Sequence, residues 1–464
     1  MSVFFCIFAR EMYKLSIMRK LLFILTAVFA FASAQAQEQE HIRYVGGDIS
    51  MLPQYEKHSS GYKDANNQKI SNLITWLRND CGWNTFRVRL FVNPNPDFGT
   101  AHYKEDNKPL PKDYAIIQDL AYVTALGKRI KDAGAYFMLD FHYSDFWVDA
   151  GKILPPDAWA GANDAAMADS VSNYTHRVLR TLKAAGATPD LVQVGNEIMY
   201  GVCGRKVHPY DYSGDNWTGY IGILQAGCNA VREECPNAQI IIHTDRPCNK
   251  EYDNYYYGKL VQNNVDFDVI GLSYYPFWHA DYTPTAASTA QQTLYPLTSA
   301  IKYLGTQFPN KRVQIVETAY NFQYWPNKGV NYDTRKRWEC SVAGQYQYIQ
   351  DLVDILKPLT NLDGISYWFP EDAGNGDYVD WNTKSRLIEE SWSNRGFWDE
   401  NATTSGHALN SRAPHYMRNF YWNAEGVETV SSNEMTRSRK VLKDGQFLIE
   451  RNGETYTFTG QKMQ

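Results

Sequence analysis

Eight short apolar runs recur along the chain, separated by stretches whose apolar residues fall at helical spacing. The runs cover residues 43–49, 84–91, 135–142, 190–196, 239–243, 267–275, 312–317 and 363–368. Between them lie the helical stretches 119–133, 166–185, 220–234, 290–308 and 342–356. In the first of these, Ala121, Leu126, Ile130 and Ala133 recur as one face of a helix. Gly134, Pro236 and Pro309 stand where helices should stop. Eight strand-then-helix units predict an α/β fold, a parallel sheet closed into a (β/α)8 TIM barrel. An open doubly wound sheet would be marked by a Gly-rich phosphate loop after the first strand, and Gly46-Gly47-Asp48 is not one.

The two ends read differently. Arg19 and Lys20 precede the apolar run 21–31, and Ala34-Gln35-Ala36 follows it. A charged segment, a short apolar core and a small-residue site form the pattern of a secretory signal peptide. The run is too short for a transmembrane span, and Met18 reads as the natural start. The expectation is export to the periplasm, the cell surface or the medium. Segments 441–449 and 454–459 are strand-like, with Asp444-Gly445 and Asn452-Gly453 as tight-turn signals. The expected division is residues 1–36 as extension and signal peptide, 37–430 as the barrel and 431–464 as a short β tail. A net charge of −5 argues against nucleic acid or an anionic membrane as the partner. Aromatic residues make up 14% of the chain, 33 Tyr and 13 Trp among them, a mild pointer to sugar-binding surfaces. Seven cysteines include no C-x-x-C pair, so no zinc or thioredoxin-like site is expected. Cys228 and Cys235 share a predicted helix, about 10 Å apart along it and too far to bridge. Cys203 and Cys248 each follow a strand and could pair; free thiols are the alternative.

The active site of such a barrel lies at the C-terminal ends of its strands. The fourth run ends in Asn196-Glu197 and the seventh in Glu317. Burying a carboxylate is costly, so a strand that ends in one suggests a purpose. Two carboxyl groups three barrel units apart suit glycosidic-bond hydrolysis, where one protonates the leaving oxygen and the other attacks the anomeric carbon or activates water. Their placement across the barrel suits a separation of about 5–5.5 Å, the retaining spacing.

Asn-Glu on the fourth strand with Glu on the seventh resembles the clan A glycoside hydrolases. Several stretches resemble, more narrowly, family 53, the β-1,4-galactanases: Gly46-Gly-Asp-Ile-Ser50, Arg87-Val-Arg-Leu-Phe-Val-Asn-Pro94, Asp140-Phe-His-Tyr-Ser-Asp-Phe-Trp147, Val194-Gly-Asn-Glu-Ile198, Ile270-Gly-Leu-Ser-Tyr-Tyr-Pro-Phe-Trp-His279 and Val316-Glu-Thr-Ala-Tyr320. The match spans residues 42–422. The resemblance implies endo-hydrolysis of β-1,4-galactan, with Glu197 as acid/base and Glu317 as nucleophile. It implies that Asn196 meets the sugar 2-hydroxyl, that Arg89 steadies Glu317, and that Trp368 lies under the sugar at the cleavage point. Arg87 reads equally as a structural barrel arginine. His142, Asp145 and Trp147 are expected in the glycone sites, one of Tyr274 and Tyr275 on Glu317, and Trp278 and His279 in the adjoining loop. Asp48 and Asp245, which end the first and fifth strands, are candidate hydroxyl partners. Some members of the family carry a calcium loop after the seventh strand; residues 321–330 lack its dense oxygen ligands, so no metal or other cofactor is expected there. The expected partner is the polysaccharide alone, met by a monomer. Other clan A activities, such as a mannanase or glucanase, and a noncatalytic sugar-binding barrel are the competing readings.

Overall fold

The computed structural model describes residues 42–104, 107–110, 112–208, 213–279, 288–322, 337–373, 394–399 and 406–421, together with the backbone of 105, 378–380, 385–386, 438–443, 446–451 and 454–457. The leader read at residues 1–36 and most of the 321–330 stretch lie outside them. Eight parallel strands close into a barrel: β1 Tyr44–Asp48, β2 Thr85–Leu90, β3 Tyr136–Phe141, β4 Leu191–Val194, β5 Gln239–Thr244, β6 Val269–Tyr274, β7 Arg312–Thr318 and β8 Leu362–Trp368. β1 pairs with both β2 and β8, which closes the ring. Each strand is followed by a helix: α1 Leu73–Asn79, α2 Leu120–Asp132, α3 Asp164–Ala184, α4 Trp217–Glu234, α5 Lys250–Gln262, α6 Ala290–Gln307, α7 Val342–Leu356 and the short α8 Ala413–Met417.

A closed sheet buries both faces of every strand, which is why the strands read as continuous apolar runs. Alternate residues sort into two cores. Val45, Phe86, Val88, Phe137, Leu139, Val192, Ile240, Ile242, Ile270 and Val313 pack outward in the large core shared with the helices. Tyr44, Met138, Leu191, Ile241, Val269 and Val316 form a separate cluster inside the ring. Two residues further along four of these strands, the inward positions become Asp140, Gln193, His243 and, after Gly271, Ser273, all buried. The interior thus turns from apolar to polar toward the C-terminal end.

The helices begin on side-chain caps that satisfy their free N–H groups. Asp119 accepts from Tyr122 N, Asn163 from Ala166 N and Asn216 from Gly219 N, and Thr289 with Gln292 forms a full capping box on α6. α2, α4 and α6 end just before Gly134, Pro236 and Pro309, as expected. Cys203 and Cys248 do not pair; both are thiols. Cys235 is the residue that caps α4, one position beyond its last turn. In the tail, β9 Ser438–Lys443, β10 Gln446–Arg451 and β11 Glu454–Thr457 form an antiparallel sheet, with Lys443 opposite Gln446 and Arg451 opposite Glu454. The two turn dipeptides read from the sequence fall in those gaps. No helix among the described residues is long and apolar enough to cross a membrane.

Barrel closure depends on Gly46. A Cβ there would lie 1.6 Å from the Thr85 carbonyl oxygen of β2, a backbone atom that cannot swing aside. Gly46→Ala is therefore expected to destabilise the chain by about 3 kcal/mol or more, at the top of the range for overpacked sites. The midpoint of urea unfolding measures this, and an unchanged midpoint would show that β1 and β2 are not so closely joined.

Candidate active site

The polar end of the barrel is organised by one arginine. Arg87 of β2 is wholly buried and reaches four groups on four strands or their ends. It meets Asp48 Oδ2 at 2.7 Å, Asp140 Oδ2 at 2.7 Å, Asn196 Oδ1 at 2.8 Å and Glu317 Oε1 at 2.9 Å. Burial alone would weaken its hold on the proton, but Asp140, Glu317 and Asp48 more than reverse this and keep it firmly protonated. Burial likewise pushes Asp140 up, and Arg87 with His142 brings it below the ordinary carboxylate value.

β4 ends abruptly to deliver Glu197. Gly195 has φ +92° and Glu197 itself φ +46°, ψ +46°, in the left-handed region. For a residue with a side chain that conformation costs on the order of 1 kcal/mol, and such strain gathers at functional sites. Here it turns Glu197 into the barrel mouth. Its Oε1 accepts from Ser273 Oγ at 2.6 Å. Glu317 arrives by a different device. The β6–β7 register slips between Leu272 and Ser273, so that Ser273 faces Glu317 rather than Val316. The extra residue lets Val316 fill the interior while Glu317 also reaches the mouth. Tyr275 donates its hydroxyl hydrogen to Glu317 Oε2 at 2.8 Å.

The two carboxyls sit in unequal surroundings. Glu197 keeps some solvent access, yet burial, the nearby Glu317 and Asp245 push it well above the usual carboxylate range. Burial also raises Glu317, but Arg87 and the Tyr275 hydroxyl both favour its ionised form. Among the described residues no cation contacts Glu197 in this way, so the surroundings favour the ionised form at Glu317 more than at Glu197.

The structure corrects several expectations. Arg87, not Arg89, touches Glu317. Both point inward, but Arg89 lies two residues nearer the rim, where its guanidinium faces Trp147 at 4.6 Å, Phe369 at 5.0 Å and Trp368 at 5.6 Å. Asp48 is wholly buried and engaged by Arg87, Ser50 and, at 3.5 Å, Arg89. Asp145 is buried too; it accepts from Asn93 N and Asp157 N and ties loops together. His142 is buried, accepts from Val148 N at 2.9 Å and lies 3.2 Å from Asp140, so it braces the arginine cluster. Tyr274 is buried, while its neighbour Tyr275 takes the expected contact with Glu317.

The other expected residues stand at or beyond the C-terminal ends of their strands. Asn196 adjoins Glu197 and is pinned by Arg87 and by the Val148 carbonyl at 2.6 Å. Trp368 and Trp147 are half-buried, and the Trp147 indole N–H donates to Asp113. Trp278 is exposed, and His279 accepts from Tyr275 N at 3.0 Å; burial and Arg246 lower it to about 3, so it stays neutral. Asp245 is half-buried, and burial raises it to about 6. Among the described residues no group of three or more His, Cys, Asp or Glu side chains is arranged to hold a metal ion. Asp140, Gln193, His243, Ser273 and Arg395, whose guanidinium lies 5.1 Å from the Tyr275 ring and 5.5 Å from the Trp368 ring, were not singled out in the sequence. The first four follow from the two-residue alternation, which puts them inward one step above an apolar or glycine position.

A barrel whose mouth holds two unequal carboxyls is the architecture of a glycosidase, and comparison with known proteins specifies which kind. The model of glycosyl hydrolase family 53 matches residues 44–412. An arabinogalactan endo-β-1,4-galactanase of Cellvibrio japonicus is 30% identical over 407 residues, 84% of this chain and 96% of that one. An endo-β-1,4-galactanase of Bacillus subtilis is 28% identical over 331 residues, 70% and 69% of the two chains. The solved GH53 catalytic domain of Ignisphaera aggregans superposes with a TM-score of 0.64 at 26% identity, covering 82% of this chain and 97% of that one. The chain belongs to glycosyl hydrolase family 53.

Removing one partner from a buried ion cluster leaves the others uncompensated. Arg87→Met is expected to cost about 3–5 kcal/mol of stability, because Asp48 and Asp140 remain buried without it. Equilibrium unfolding in urea reads this, and wild-type stability would show that those aspartates are satisfied by other means.

Proposed function

We propose that the chain is a retaining endo-β-1,4-galactanase in which Glu317 is the nucleophile and Glu197 the acid/base. The observation that carries this is the inequality of the two carboxyls. Glu317, gripped by Arg87 at 2.9 Å and Tyr275 at 2.8 Å, is the one prepared to stay ionised. Glu197, raised by burial and by Glu317, is the one prepared to hold a proton. In the first step Glu317 bonds to the anomeric carbon as Glu197 protonates the departing oxygen. In the second, Glu197, now ionised, takes a proton from water as that water displaces Glu317. Asn196, fixed beside Glu197, is placed to meet the sugar 2-hydroxyl. Trp368 offers a flat face at the cleavage point, and Trp147 and Trp278 extend the groove. Galactan as substrate is supported by family membership and by the activities named for the Cellvibrio japonicus and Bacillus subtilis relatives. The leader-like residues 19–36 support export, which places the enzyme where pectic polysaccharide is found.

Activity must then require Glu317 ionised and Glu197 protonated. Rate rises with pH as Glu317 loses its proton and falls at higher pH as Glu197 loses its own. Glu317→Gln, nearly isosteric, should fold and release no measurable reducing sugar from galactan, because an amide cannot form the glycosyl ester. Glu197→Ala should fail on polysaccharide yet recover turnover of an activated aryl galactoside when azide is added, giving the β-galactosyl azide. An α-azide would mean a single displacement and would overturn both roles. Release from mannan or cellulose but not galactan by the wild-type enzyme would reassign the substrate.

A further inference from the structure

A chain of hydrogen bonds runs up the polar end of the barrel and stops at Glu197. Its direction is fixed by His243 of β5, which is wholly buried. The Glu197 backbone N–H lies 3.3 Å from His243 Nδ1, and Gln193 Nε2, which also donates to Asp140 Oδ1, lies 3.0 Å from the same nitrogen. A backbone N–H can only donate, so Nδ1 is an acceptor here. Asn196 Oδ1, 3.1 Å from Nδ1, is already engaged by Arg87. Burial and the adjacent Arg87 keep the imidazole neutral, so its one hydrogen sits on Nε2. That nitrogen is 2.8 Å from Ser273 Oγ, which therefore accepts from it. The serine has one hydrogen left to give, and Glu197 Oε1 lies 2.6 Å away to receive it.

We propose that Ser273, oriented by His243, is a positioning residue that occupies Oε1 of Glu197 and so reserves Oε2 as the oxygen that carries and delivers the transferable proton. The proposal rests on the assignment of Glu197 as acid/base. It gives the serine a second effect. Glu317 of β7, Asp245 beyond β5 and Asp149 in the loop after β3 all favour the protonated form of Glu197, as does burial, and the neighbouring His243 is neutral. Among these influences the Ser273 hydrogen bond is the one that favours the ionised form. It offsets a carboxyl that would otherwise hold its proton too tightly to serve as the base of the second step.

The sign of the effect follows. Without the serine hydroxyl, Glu197 stays protonated to higher pH. The basic limb of kcat/KM in Ser273→Ala should move up by roughly one to two pH units, the worth of a hydrogen bond to a charged group. Ser273→Thr, which keeps the hydroxyl, should hold the limb near its wild-type position. An unmoved limb in folded Ser273→Ala would overturn the proposal. The limb measured for Glu197→Ala on an activated aryl galactoside separates the two ideas. If it persists there, the assignment of Glu197 fails; if it vanishes there but does not move in Ser273→Ala, the serine's role alone fails. Imidazole ¹⁵N NMR of the wild-type enzyme gives a check that needs no variant. A neutral His243 with hydrogen on Nε2 is expected, and hydrogen on Nδ1 would contradict the chain of donors whatever the variants do.

Discussion

A charged guanidinium with no route to water must be matched where it sits, and Arg87 is matched by Asp48, Asp140, Asn196 and Glu317 at once. Those residues come from β1, β3, the end of β4 and β7, so one side chain ties strands on opposite sides of the ring. The arrangement explains why the polar residues in the mouth are individually buried yet collectively tolerable. It also explains the difference between the two catalytic candidates. Glu317 is inside the arginine's reach and Glu197 is outside it.

The remaining features serve to bring side chains to that arginine in the right order. The left-handed turn at Glu197 ends β4 early, which puts Asn196 on Arg87 and leaves Glu197 beyond it. The slipped register of β6 against β7 does the converse, keeping Val316 in the apolar interior while Glu317 gains the arginine. Above this layer the character changes. Arg89 lies 3.5 Å from Asp48 but, among the described residues, bonds neither Glu197 nor Glu317, and its guanidinium faces Trp147, Trp368 and Phe369. It packs against these aromatic rings at the barrel rim. Each such cation–ring contact is worth about 0.5–2 kcal/mol, enough to hold the indoles in place.

Much of this was legible in the sequence because a closed barrel writes a strong signal. Its strands are buried on both faces, so all eight stood out as apolar runs, and Glu197 and Glu317 stood out as the charges that end two of them. α5 was harder to see: Lys250–Gln262 is rich in tyrosine and lacks a clean apolar stripe. Arg89 was ranked ahead of Arg87 as the partner of Glu317, and wrongly, since both face inward and only the level of each in the barrel decides which meets it. Asp48 and Asp145 look from the sequence like residues at a mouth, yet one is claimed by an arginine and the other by two backbone N–H groups. His243 and Ser273 carry no local mark at all. Their place in the site depends on the inward phase of β5 and β6, which a two-residue count along each strand would have shown.

The central claim is that Glu317 forms the bond to the sugar while Glu197 manages the proton. A 2-deoxy-2-fluoro galactosyl donor with an activated leaving group tests it most directly, because the fluorine slows release of the covalent intermediate more than its formation. Peptide mapping by mass spectrometry after brief incubation should find one fluorogalactosyl group, on the peptide that contains Glu317 and on that side chain. A label on Glu197, or an unlabelled enzyme that nonetheless turns the donor over, would contradict the account.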